Sequence, residues 1–202
     1  MPTYPLTMPT TPAPRQSSFR LRRATGFTQS PFSGRSQVIE WPFALWECEI
    51  TLPPMRRDKA GAWQAFLMEL HGRAGTFLMG DPDAKTPRGT ARSGVAVNGA
   101  GQTGNVISVR GMVNTSLLKG DYIQIGSGSA ARLHMVVNDH GGGAGGVTIL
   151  QIEPPLKASP ADGAAVTVVN AMGLWRMSAP DLGWNADEAS VYGFTFSAQE
   201  AF

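Results

Sequence analysis

Leu117-Leu118-Lys119-Gly120-Asp121-Tyr122-Ile123-Gln124-Ile125 reads as a Gly-Asp turn that feeds a strand, and its continuation decides the fold. Residues 132–137 supply a partner strand. Asp139-His140-Gly141-Gly142-Gly143-Ala144-Gly145-Gly146 then leads to a third apolar run, Val147-Thr148-Ile149-Leu150. Strands that pair in sequence order make the meander of a small closed barrel of the SH3-like or OB-like type. The glycine run is a loop between strands and no phosphate cradle, because no helix and no Lys-Ser/Thr pair follows it.

Outward from this stretch the composition changes. No Trp or Phe lies between Gly80 and Trp175, whereas Trp41, Trp46, Trp63, Phe66 and Phe77 come before and Trp175, Trp184, Tyr192, Phe194, Phe196 and Phe202 at or after its end. The chain therefore reads as a discontinuous β domain, residues 27–87 plus 171–202, with the barrel of residues 88–170 inserted in it and an extended arm, residues 1–26, in front. Strands are expected at residues 36–40, 45–52, 75–79, 106–110, 121–125, 133–137, 147–152, 165–169, 173–177 and 191–197. They are short, β-branched and bounded by Gly, Pro or Asn. Tyr192, Phe194 and Phe196 alternate and would point to one side.

One helix is expected, over residues 56–71. Pro53 and Pro54 fix its start, Asp58 lies in the first turn where the dipole favours an acid, and Gly72 ends it. Ala60, Trp63, Phe66, Leu67 and Leu70 recur at three- and four-residue steps and form one apolar stripe for packing on a sheet. The fold class is thus mainly β: a β-sandwich-like domain with one packed α-helix and an inserted small SH3/OB-like barrel.

Bulk properties narrow the function. In 202 residues there are 17 Lys and Arg against 15 Asp and Glu, and the basic residues are thinly spread apart from Arg15, Arg20, Arg22 and Arg23. No groove for a phosphate backbone, and so no nucleic-acid specificity, is implied. Charged residues make up 16% of the chain, under the roughly 25% of soluble domains, which suits lasting contacts between subunits. No stretch approaches the roughly 18 apolar residues of a membrane span. Residues 1–14 are rich in Pro and Thr, with neither the charged start nor the apolar centre of a signal peptide, so the chain is expected to stay in a cytoplasm until assembled or released.

The sequence offers little for catalysis. His71, His134 and His140 stand apart with no metal-ligand spacing, and no metal or cofactor is expected. Asp81-Pro82-Asp83 reads as a turn. Cys48 lies in the apolar run of residues 41–50 and reads as a buried small hydrophobe. Glu47 and Glu49 share a strand face opposite Cys48 and read as solvated acids. No Gly-x-Ser-x-Gly elbow is present.

Three stretches belong together: Ser33-Gly34-Arg35-Ser36-Gln37-Val38-Ile39-Glu40-Trp41-Pro42; Trp46 through Thr51-Leu52-Pro53-Pro54-Met55 into the 63–70 helix; and Gly72-Arg73-Ala74-Gly75-Thr76-Phe77-Leu78-Met79-Gly80-Asp81-Pro82. With Leu118-Lys119-Gly120-Asp121-Tyr122-Ile123-Gln124-Ile125-Gly126 and Pro160-Ala161-Asp162-Gly163-Ala164, this pattern resembles the tail-tip or distal-tail proteins of phages that infect proteobacteria, and of related gene-transfer-agent tails. The resemblance implies a ring of copies, usually sixfold, that joins the tail tube to the hub and receptor-binding apparatus of a virion assembled in the host cytoplasm. It implies no catalytic residue. A proline-rich arm suits exchange between neighbours, so Tyr4, Pro5, Leu6, Pro12 and Pro14 are the expected interface residues, disordered in an isolated chain. Other readings are a carbohydrate- or receptor-binding module stacking ligands on Trp41, Trp46, Trp175 and Trp184, another tail adaptor or nozzle component, and a peptidoglycan-cleaving enzyme with a polar pocket.

Overall fold

Trp46, Cys48 and Ile50 alternate along one strand and all point inward, because successive side chains of a strand take opposite faces. That strand, Ser36–Thr51, is the longest in the computed structural model, which describes residues 3–180, 183–186 and 191–202. It lies in a six-stranded sheet in the order Leu6–Thr7, Phe77–Met79, Gly173–Met177, Thr195–Glu200, Ser36–Thr51, Gln16–Gln29. The expected strands at 36–40 and 45–52 are therefore one continuous element.

The helix spans Arg57–Glu69 and ends where His71 and Gly72 take positive φ of 49° and 65°. A Cβ at Gly72 would also meet the Pro180 carbonyl oxygen at 2.7 Å, so glycine is needed at this exit. Ala60, Trp63, Phe66, Leu67 and Leu70 are all buried. Trp63 meets the rings of Phe66 and Phe196 at centroid distances of 6.1 and 6.2 Å, and Phe66 lies edge-on to Phe77 at 5.5 Å. The apolar stripe thus seals one face of the sheet.

Residues between the sandwich strands build a second sheet, in the order Val166–Thr167, Tyr122–Ile125, Arg132–Val136, Thr148–Leu156, Gly104–Arg110, Ala96–Val97. Its two ends meet. An Ala96–Ala165 bridge and the bonds from Val97 N–H to Ala164 O and from Val166 N–H to Val95 O nearly close a barrel. Ile107, Val109, Ile123, Leu150 and Ile152 fill it. The buried Asp121 carboxylate accepts hydrogen bonds from the amides of Arg88, Gly89 and Leu118 at 2.7–3.0 Å, which pins the crossing chain to the barrel base. The chain leaves the sandwich at Met79 and returns at Gly173, and these two residues are paired in register. An insertion is easily carried where its two ends already lie side by side.

Two expectations need correction. Residues 1–26 are not simply an arm: Gln16–Gln29 is an edge strand, with Phe19 and Leu21 inward and Arg20 and Arg22 outward. Nor is the rest disordered on its own chain, apart from Met1 and Pro2, which lie outside the described residues. Leu6 and Thr7 pair in parallel with Phe77 and Leu78, Leu6 and Met8 pack on the core, and Tyr4 Oη–H donates to Glu69 O at 2.8 Å. Proline forbids a sheet interior but is tolerated beside a two-residue edge strand.

The barrel is also packed into the sandwich core and is not a separate unit beside it. Tyr122 and Leu133 belong to the barrel strands, yet both are buried in the sandwich core, and Trp46 Nε1–H donates to Leu133 O at 3.0 Å. Replacing residues 88–170 by a short Gly/Ser linker is therefore expected to give an insoluble or molten chain, and a soluble remainder with a cooperative thermal transition would show that this seam is dispensable. Trp63→Ala removes a fully buried ring and is expected to cost about 3–5 kcal/mol, read as a lower midpoint in urea.

Candidate functional site

The hairpin formed by Gln16–Gln29 and Ser36–Thr51 changes character half-way along. From Gln16 opposite Thr51 to Arg23 opposite Ala44 it belongs to the sheet, flanked over Glu47–Thr51 by the C-terminal strand. The register then breaks, and pairing resumes at Thr25 opposite Glu40, so that Trp41, Pro42 and Phe43 face the single residue Ala24. Pro42 has no N–H for the ladder, and such bulges bend and twist a strand. Beyond the break runs a two-stranded ribbon with no third strand among the described residues.

The ribbon ends in a tight turn. Ser30 N–H donates to Arg35 O, Gly34 N–H to Ser30 O, and Gln29 Nε2–H to Gly34 O, all at 2.9–3.0 Å. Phe32 at its tip is 98% exposed. Phe27, Val38, Ile39, Trp41 and Phe43 are exposed as well, so apolar side chains cover the ribbon. The Trp41 indole crosses the partner strand over Gly26, where a Cβ would stand 2.9 Å from the ring.

At the root of the ribbon opens a cleft of about 900 Å³ between the hairpin and the barrel. Trp41 and Phe43 form its apolar side. Arg23 spans its floor, with ion pairs to Glu40 at 3.0 Å and to Glu153 at 2.7 Å, and the bond to Glu153 holds the guanidinium charged. Asn105 Nδ2–H donates to the other Glu153 oxygen at 2.7 Å. Lys157, on the barrel side, is committed elsewhere: its ammonium pairs with the buried Glu200 carboxylate at 2.8 Å and lies 3.5 Å from the Phe202 ring centroid. Burial lowers its pKa while Glu200 opposes that.

The residues nominated from sequence scatter. Trp46 and Trp175 are buried, with indole N–H groups bonded to Leu133 O and Met79 O, so they are no stacking platforms, and only Trp41 and Trp184 of that set are exposed. Tyr4, Pro5, Leu6, Pro12 and Pro14 are half-buried against their own chain. Glu47 ion-pairs with Arg20 at 2.7 Å, Glu49 faces solvent, and Cys48 between them is buried, its thiol pushed up to about 12 by desolvation. Asp81 caps its own turn by accepting from Asp83 N–H. His140 Nε2 accepts from Gln151 N–H at 3.1 Å. Among the described residues no three His, Cys, Asp or Glu side chains are grouped to hold a metal, and no helix is long and apolar enough to cross a membrane. Arg23, Asn105 and Glu153 escaped the sequence reading because they are 130 residues apart at the extremes and meet only through the barrel's placement. The ribbon itself had a local signal, the Ser30-Pro31-Phe32-Ser33-Gly34 turn between two alternating runs.

No known protein-family model matches this chain, and no curated protein is significantly similar to it.

The barrel carries a pH dependence. His134 lies between Leu133 and Met135, which pack on the sandwich core, and is buried on the opposite, barrel-facing side of its strand; its Nδ1–H donates to Pro154 O at 2.8 Å, and desolvation lowers its pKa to about 4. Its folded-state value lies below its unfolded one, so the neutral ring's contribution is complete above pH 6.5 and is lost as pH falls towards 4. Stability is expected to drop by about 2 kcal/mol between pH 7 and pH 5. Urea unfolding of the wild type and of His134→Gln checks this, the variant losing most of that slope.

Proposed function

We propose that this chain is a structural subunit of a bacteriophage tail tip, assembled in the host cytoplasm into a ring that joins the tail tube to the hub and receptor-binding apparatus. The reading rests on one observation, the apolar ribbon that projects from the sheet beyond the Trp41–Phe43 break. An isolated two-stranded ribbon is marginal in water, and clustered exposed apolar side chains mark a surface that another chain covers. The 14-residue edge strand Gln16–Gln29 adds an unpaired backbone edge, which soluble proteins rarely leave bare. Repetition of one such contact around an axis closes a ring. The scarcity of charge and the lack of any clustered catalytic groups among the described residues favour this reading over an enzyme.

A ring of this kind is checked by light scattering and negative-stain imaging of the purified full chain, with closed oligomers of defined mass expected. A chain that stays monomeric at high concentration counts against it. A second reading, a glycan-binding module of the tail, draws on Trp41 and Phe43 facing Glu40, Asn105 and Glu153, the mixture of aromatic faces and fixed polar groups that sugar sites use. Trp41→Ala would abolish retention on immobilised host-envelope polysaccharide if that reading held, while retention unchanged by Trp41→Ala would exclude it.

A further inference from the structure

We infer that the tip of the ribbon, Phe32 with Arg35, docks in the root cleft of a second copy of this chain. The inference rests on the ring reading and specifies how neighbours join. Three features of the molecule carry it.

First, the knob cannot serve its own cleft. The free ribbon runs in unbroken register from Thr25 opposite Glu40 to Gln29 opposite Ser36. Five strand residues set the turn about 16 Å beyond the break. Phe32 is therefore held away from Trp41 and Phe43, and almost its whole ring surface is in water.

Second, the cleft has an apolar wall of the right kind. Trp41 and Phe43, both about half exposed, face Pro155 and Leu156 across the opening. An aromatic anchor buried between aromatic and aliphatic walls is the usual centre of a protein interface.

Third, the charges match. Residues 24–39 contain a single ionisable side chain, Arg35, which has no carboxylate partner among the described residues. In the cleft, Glu40 and Glu153 share the one guanidinium of Arg23, while Lys157 is taken up by Glu200. That leaves the cleft one negative charge in excess and the tip one positive. Ion pairs at such a rim fix the register of docking and its partner. Because knob and cleft are different surfaces of the same chain, the contact can repeat head-to-tail, and it closes a ring where its rotation divides a full turn.

The test uses the full-length protein. Phe32→Ser, at a fully solvated position, should leave the melting temperature unchanged and weaken self-association at least tenfold by light scattering, and Arg35→Glu should weaken it as well. Mixing Phe32→Cys with Asn105→Cys under mild oxidation should give a mixed disulfide dimer, with the buried Cys48 silent. If the wild type forms rings and Phe32→Ser forms them equally well, the docking is wrong and the ring reading stands. If Phe32→Cys links only to itself, the contact is tip to tip and the inference is overturned. A wild type that is monomeric throughout removes the ring reading and the docking with it.

Discussion

Trp46 ties the molecule together at one point. Its ring is buried in the sandwich core and tilted against Tyr122 of the barrel at 6.1 Å, and its indole N–H is bonded to the barrel backbone at Leu133. A Trp buries a large apolar body but still requires a partner for its N–H, so the barrel strand must lie in one place for that bond to form. Glu200 reinforces the junction from the C-terminal strand by accepting from the Trp46 amide as well as from Lys157. The barrel's position, the cleft beside it and the root of the ribbon all follow from this seam.

The strand that carries Trp46 leads straight to the break at Trp41–Phe43. Inside the break Ala44, Leu45 and Trp46 are buried, and from Trp46 to Thr51 the side chains alternate between the core and the outer face. Outside it, every residue from Pro31 to Phe43 is exposed. One bulge thus converts a sheet strand into a lever, and the glycine at position 26 lets the Trp41 ring fold flat across that lever where it begins.

Much of the fold was legible because it is local. The helix stripe, the barrel meander and the position of the insertion depend on periodicity and composition within short windows. The alternation of Tyr192, Phe194 and Phe196 was legible too, although Val191–Gly193 pairs with Met55–Arg56 and Thr195–Glu200 with the long strand, so the run is two elements joined at Phe194. The strand Gln16–Gln29 was missed because the alternation of Phe19 and Leu21 with Arg20 and Arg22 is short and the prolines before it suggest an arm. The candidate site was hardly legible, since it depends on how the hairpin meets a barrel about a hundred residues further along the chain.

The order of strands in the sandwich sheet bears on how the chain folds as it is made. Gln16–Thr51 can pair with itself as soon as it leaves the ribosome, but its inner neighbour, Thr195–Glu200, follows far later in the chain. Phe77–Met79 likewise waits for Gly173–Met177. Contacts of such long sequence separation form slowly and leave earlier strands open meanwhile. The barrel's strands are all made before Thr195–Glu200 and pair among themselves, so the barrel can form in this interval and then present Tyr122 and Leu133 to a half-built core. Synthesis rate and chaperone capture therefore act on the hairpin Gln16–Thr51, which stays unsheltered until Thr195–Glu200 arrives.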